Sequence, residues 1–288
     1  MNLILLFPDD FASDGAVRLT GRRARHVHEV HRARVGDSLT VGRVNGPVGK
    51  GTVLFVAPDE VRLSVLLSED PPPPTGLDLL LAMPRPKVLR RVLQSAASLG
   101  ARRIVLVAAQ RVEKSYFDTP FLAPGEIERN LVLGLEQARD TALPEVVVRR
   151  LFRPFVEDEL ETFWPRATCA RLLAHPAVAH GPMDCDLGKA GATAVLAIGP
   201  EGGWIPFELE LLAAHGFSPF GLGPRILRVE TAVPFAFGQI QLSRRWAWGS
   251  TDEPGLRCAS ARTASPVSRP ARPVAHAVPR PPAKARLR

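Results

Sequence analysis

Four consecutive prolines, Pro71, Pro72, Pro73 and Pro74, followed by Thr75 and Gly76, constrain this 288-residue chain more than any other feature. Proline has no backbone N–H and a fixed φ, so such a run joins neither a helix interior nor a sheet and must pass as an extended connector. The texture of the chain changes across it. Before it, short runs rich in Val, Leu and Thr (2–7, 38–42, 51–57 and 61–67) are separated by Gly, Pro, Asn and Asp, the pattern of short strands in a small β-barrel. After it, strand-length apolar runs (77–82, 103–108, 146–152, 170–174 and 193–198) alternate with helical patterns (86–99, 125–140 and 154–163). That alternation predicts an α/β domain with a mostly parallel sheet. The expected organisation is a barrel over 1–70, a linker at 71–76, an α/β domain over 77–250 and a tail over 251–288.

Charge is needed to place a partner. The net charge of +8 comes from 37 basic and 29 acidic residues, and from Pro254 onward the chain holds seven arginines, Lys284 and no acid, so the rest is balanced. The tail has few large apolar residues to offset chain entropy and is expected to be disordered. Any basic surface on the body must come from uneven distribution, and residues 15–50 carry eight basic residues against Glu29 and Asp37. A helix predicted over 20–34 presents Arg22, Arg23, Arg25, Arg32 and Arg34, which read either as a phosphate-binding surface or as a solvated helix face. His26, His28 and His31 lie in the same stretch, but no carboxylate or cysteine completes a ligand set, so no metal is expected. Cys169, Cys185 and Cys258 are odd in number and lack ligand spacing, which argues against a disulfide framework. No run of 18 apolar residues or signal-peptide pattern occurs, so a soluble cytoplasmic protein with no membrane partner is expected.

The chemistry concentrates near residue 200. The apolar run ending at Ile198 opens into Gly199, Pro200, Glu201, Gly202, Gly203 and Trp204, then into a helical pattern. Without a Cβ, glycine lets backbone approach a ligand closely, although a tight strand-to-helix turn would use the same residues. A second such loop, Leu222-Gly223-Pro224-Arg225-Ile226-Leu227-Arg228, follows a short strand predicted over 217–221 and precedes a long helix with Thr231 as its expected N-cap. Two glycine-bearing loops leaving neighbouring strands make a pocket hypothesis, because ligands of open α/β sheets bind at the carboxyl ends of strands. Neither loop is GxGxxG or GxxxxGK[ST], so a Rossmann dinucleotide site or a P-loop is not supported. The polar loop from Gln110 to Tyr116 is also long enough to be functional.

Gly-Pro-Glu-Gly-Gly-Trp at 199–204 together with Leu-Gly-Pro-Arg-Ile-Leu-Arg-Val-Glu-Thr-Ala at 222–232 closely resembles the paired motifs of SPOUT-class RNA methyltransferases, specifically the 16S rRNA uracil-N3 methyltransferase family. The resemblance runs from about residue 1 to 248 and implies a small PUA-like N-terminal β-barrel followed by an α/β domain with a C-terminal trefoil knot. It implies S-adenosyl-L-methionine held by the two loops together with Ala174, His175, Thr231 and Ala232, although His175 reads equally as a surface histidine before Pro176, and a homodimer built partly by the last helix. Its substrate would be 16S rRNA of the small ribosomal subunit. The family's Glu-Gln pair matches Glu136 and Gln137, but Ala138, Arg139 and Asp140 replace its usual glycine and arginine, so Arg139 reads equally as an RNA contact or as a helix C-terminus complementing the dipole.

The implied reaction sets requirements. Uracil N3 is a poor nucleophile until its proton leaves, so the site needs a base and cations aimed at the anion that develops. Arg228 and Arg225 are the candidate cations, and Glu201 is the candidate base or arginine-orienting group. No metal is needed. The rivals are a ribose 2′-O methyltransferase, which needs no recognition of the uracil edge, and a non-catalytic RNA-binding or ribosome-assembly protein, which would bind RNA without the methyl donor.

Overall fold

The structure is a computed structural model that describes residues 2–13, 15–189 and 191–248. The basic tail expected from 251 lies outside the described residues. The N-terminal part is a curled five-stranded half-barrel of β1 (Ile4–Leu6), β2 (Val17–Thr20), β3 (Ser38–Arg43), β4 (Val48–Val56) and β5 (Glu60–Glu69), in the order β1-β3-β4-β5-β2. Its pairs are antiparallel except β1 with β3. Alternation drives it: Val61 and Leu63 are buried while Arg62 and Ser64 face solvent. Strand β1 is buried on both faces, with Ile4 and Leu6 in the core of the half-barrel and Leu3 and Leu5 in the core of the α/β layer.

Two local readings need correction here. β2 lies in a stretch not expected to be a strand; it is four residues long, and only Val17 and Leu19 carry its pattern. The helix predicted over 20–34 is a short α1 (Gly21–Arg25) that widens into a π-helical turn over His26–His31 and stops at Arg32, which adopts φ 50°. The His26 and His31 rings meet edge to face at 4.9 Å across that turn, and burial lowers the pKa of both.

The second sheet is parallel throughout: β6 (Leu77–Ala82), β7 (Arg103–Val107), β8 (Glu145–Arg149), β9 (Cys169–Ala174), β10 (Thr193–Ile198) and β11 (Ser218–Phe220), ordered β11-β9-β10-β6-β7-β8. Both faces are covered. Ala194, Leu196 and Ile198 of β10 pack with α2 (Pro86–Ser98), α3 (Pro124–Ala138) and α7 (Val229–Trp248), whereas Val195 and Ala197 pack with α4 (Phe152–Pro154), α5 (Leu160–Phe163) and α6 (Pro206–Ala214). A strand apolar on both faces is what a fully covered parallel sheet demands.

The half-barrel is joined to the end of α3 and the segment after it by hydrogen bonds. The Glu136 carbonyl accepts from the backbone of Asn2 and Leu3 at 3.1 Å, its carboxylate pairs with Arg22 at 2.8 Å, and Thr141 Oγ1 donates to the Gly46 carbonyl at 2.6 Å.

Candidate active site

The carboxyl ends of β9, β10 and β11 surround a cavity of about 420 Å³. Its first wall is the loop after β10. A Cβ on Gly199 would stand 3.1 Å from the Trp204 indole, which is buried over it, and Gly203 adopts φ +72°, so both positions favour glycine for distinct reasons. Three side chains tie this loop to its surroundings. Glu201 Oε1 accepts from the Arg85 backbone N–H at 3.1 Å, just before α2. Arg111 donates to the Gly202 carbonyl at 2.6 Å. Buried Glu208 accepts from the backbone N–H groups of Ile205 at 2.9 Å and Gln110 at 2.7 Å, tying the start of α6 to the loop after β7.

The second wall is the loop after β11. Its first residue, Gly221, donates to the His180 carbonyl at 2.8 Å, and a Cβ there would lie 1.9 Å from the Val178 carbonyl oxygen. Only glycine lets two backbones pass this closely. Arg225, Ile226 and Arg228 stand exposed at the rim, Ile226 at 89%. The strand end Ala174, His175 and Pro176 makes the third side, with His175 N–H donating to the Phe220 carbonyl at 2.9 Å, and Val229 and Ala232 of α7 add to the lining.

Of the residues expected around a cofactor, Ala174, His175, Ile198, Gly199, Pro200, Glu201, Gly202, Gly203, Trp204, Leu222, Gly223, Arg225, Ile226, Leu227 and Ala232 line this one cavity, and so does Arg228. Thr231 does not. It is also not the N-cap: α7 begins at Val229, and the Arg228 carbonyl accepts from the backbone of Thr231 and Ala232 at 2.9 and 2.8 Å. Arg228 therefore immediately precedes the helix N-terminus, where backbone N–H groups make the surroundings electropositive.

The arginines expected on an RNA face divide. Arg25, Arg32 and Arg34 are exposed. Arg23 is committed inward, to both oxygens of Asp10 at 2.5 and 2.6 Å and to the Leu5 carbonyl at 2.8 Å, so its fork is spent on holding the half-barrel together. Arg22 pairs with Glu136, which is 1% exposed and so stands in the joint between sheets rather than on a surface. Burial, partly offset by Arg22, raises the Glu136 pKa. Gln137 and Arg139 are exposed, Arg139 at φ 59° as the residue that ends α3. Sequence reasoning did not single out the roles of Arg85, Glu208 or Gly221; these depend on partners far along the chain, and only the spacing of Ile205 and Glu208 at a helix start was a local signal. Among the described residues no group of three or more His, Cys, Asp or Glu side chains is placed to hold a metal ion, and no helix is long and apolar enough to cross a membrane.

Residues 71–241 match the RNA methyltransferase domain family. The ribosomal RNA small subunit methyltransferase E of Treponema pallidum is 31% identical over 92% of this chain and 98% of its own length. The chain belongs to the ribosomal RNA small subunit methyltransferase E family. A family member from Synechocystis is 28% identical over 79% of this chain and 73% of its own length. Among solved structures, the methyltransferase E of Neisseria gonorrhoeae, bound to S-adenosyl methionine, superposes with a TM-score of 0.67 at 20% identity, covering 87% of this chain and all of the other. A Legionella pneumophila methyltransferase with the same bound cofactor gives a TM-score of 0.68 at 24% identity, over 84% of this chain and 98% of its own. At these identities the likeness is one of fold.

Proposed function

We propose that this methyltransferase E family member methylates N3 of a uracil in 16S rRNA of the small ribosomal subunit, in the cytoplasm, using S-adenosyl-L-methionine. The observation that carries the reading is the convergence of two glycine-bearing loops and the end of β9 on one cavity, with Arg225 and Arg228 at its rim. A volume of about 420 Å³ suits a nucleoside-sized ligand. The residues present fit the cofactor: Trp204 Nε1 is buried beside the cavity with no hydrogen-bond partner among the described residues, and Gly199 and Gly203 keep backbone accessible there. The loops at 199–204 and 222–227 would hold it through backbone groups. When bound, it supplies a methyl group already activated by a sulfonium charge.

The chain's own residues do the rest. Arg228, beside the N-terminus of α7, stabilises the negative charge that spreads onto O2 and O4 of uracil as the N3 proton leaves. Arg225, in the loop itself, reaches cofactor or RNA backbone. The contact of Glu201 with the Arg85 backbone favours an orienting role for this carboxylate over that of a base. Arg25, Arg32 and Arg34 hold phosphates. The close backbone passage of Gly221 by Val178 supports a trefoil knot at this loop, and the half-barrel supports a PUA-like reading. Phe235, Leu242 and Trp246 stand 46%, 58% and 71% exposed along α7, which supports a homodimer on that helix. Calorimetric titration with S-adenosylmethionine and methylation of unmodified small subunits, read by mass spectrometry of the modified base, test the whole reading. Methyl on N3 of uracil is expected. Methyl on a ribose 2′-oxygen overturns the position, and RNA binding without cofactor binding overturns the activity.

A further inference from the structure

A second cavity, of about 630 Å³, opens at the carboxyl ends of β7 and β8, on the same edge of the sheet as the first. We propose that it takes a single-stranded nucleotide of the RNA substrate next to the one being modified. The inference rests on the RNA-methyltransferase reading and adds a subsite to it. The two cavities share a wall: Trp204 of the first packs on Phe152 of the second at 5.4 Å between ring centroids, and Ile205, the next residue, lines the second.

The lining matches a nucleotide's two chemistries. Phe207 and Leu151 line the cavity while 47% and 65% exposed, an unusual outlay of apolar surface unless something covers it. An aromatic face of this kind stacks any base. Lys114, Arg150 and Arg153 line the same cavity and are exposed to solvent, Arg150 beside Asp118 and Arg153 beside Glu157 in surface ion pairs that a phosphate can displace or share, so they are cations suited to the flanking phosphates. Arg150 is held in place from behind, donating to the Phe117 carbonyl at 2.8 Å and to Asp118 at 3.1 Å, so its guanidinium is oriented before any ligand arrives. Two carboxylates line the cavity too, but that of buried Glu208 already binds two backbone N–H groups and that of Asp118 pairs with Arg150, which leaves the apolar faces and the lining cations as the recognition elements. An RNA chain with its target base in the first cavity can thus rest a neighbouring base on Phe207, which follows Trp204 by three residues.

The test uses the full chain with Phe207→Ala, Phe207→Trp and Lys114→Ala. Affinity for a single-stranded oligouridylate of about eight nucleotides is read by fluorescence anisotropy, and KM and kcat by methylation of unmodified small subunits. Phe207→Ala is expected to weaken oligonucleotide binding and raise KM by roughly tenfold, with melting temperature and S-adenosylmethionine affinity unchanged, while Phe207→Trp restores both. Lys114→Ala is expected to lower affinity and flatten its salt dependence. Unchanged affinity and KM in a folded Phe207→Ala overturns the subsite and leaves the methyltransferase reading intact. Absence of any RNA binding by the wild type overturns both. Conversion of a wild-type dimer to a monomer by Phe207→Ala, seen by sedimentation, overturns the subsite in favour of an interface between copies.

Discussion

At the scale of single residues, two side chains separate positioning from chemistry. Arg228 sits at the cavity rim directly before α7, where charge and helix N-terminus reinforce each other. Arg228→Lys keeps the charge but loses the planar fork, so single-turnover methylation should slow roughly 10- to 100-fold while cofactor affinity and melting hold. Normal turnover would remove Arg228 from the reaction. Glu136 is the opposite case, a buried acid whose raised pKa means that the native state binds its proton more tightly than the unfolded chain does. Its contribution to stability is therefore fully present below the ordinary glutamate value of 4.5 and is lost as pH rises through the higher folded value. Glu136→Gln keeps an acceptor for Leu5 N–H and cannot ionise. Denaturant unfolding from acid to neutral pH should show the wild type losing ground against Glu136→Gln as pH rises, and a parallel pair of curves would refute the sign.

At the scale of elements, the loop after β11 is shaped by contact rather than by local preference. Gly221→Ala forces a Cβ into the Val178 carbonyl, where neither backbone can yield, and should cost about 2–3 kcal/mol or more, a fall of roughly 5–10 °C in melting temperature. Gly203→Ala meets only open space and suffers from φ +72°, so about 1–2 kcal/mol is expected. Equal losses by calorimetry would contradict that distinction. The same contrast explains what could be read from the chain beforehand. The parallel sheet was legible because Val195, Leu196, Ala197 and their counterparts are apolar on both faces, a signal each strand carries alone. Both glycine loops were legible because Gly199, Gly203 and Gly223 punctuate strand ends. The widening of the helix at His26 was not, since it depends on how two rings five residues apart pack, nor was the inward turn of Arg23, which depends on Asp10 in the short turn after β1. Charge patterns show how many cations a segment has, not which of them a fold consumes.

At the scale of the whole molecule, the proposed RNA face should be narrower than the arginine count suggests. With Arg22 and Arg23 engaged, the replacement of Arg25, Arg32 and Arg34 together by alanine should lower the slope of log affinity against log salt by about 0.7 for each phosphate of single-stranded RNA that is no longer neutralised, with cofactor affinity unchanged. An unaltered slope would place the phosphates elsewhere. Strand β1, with one face in each core, carries a further consequence for how the protein is made. Leu5 N–H finds the Glu136 carboxylate 131 positions later, and Leu3 and Leu5 belong to the core of the α/β layer, which includes Leu131, Val132 and Leu135 of helix α3. At ordinary elongation rates that leaves an interval on the order of ten seconds during which the newborn half-barrel carries an uncovered leucine pair outside the ribosome. A polypeptide stalled with residue 76 just clear of the ribosomal exit tunnel should therefore be a good client for a ribosome-associated chaperone, and one stalled with residue 143 well clear of it should not.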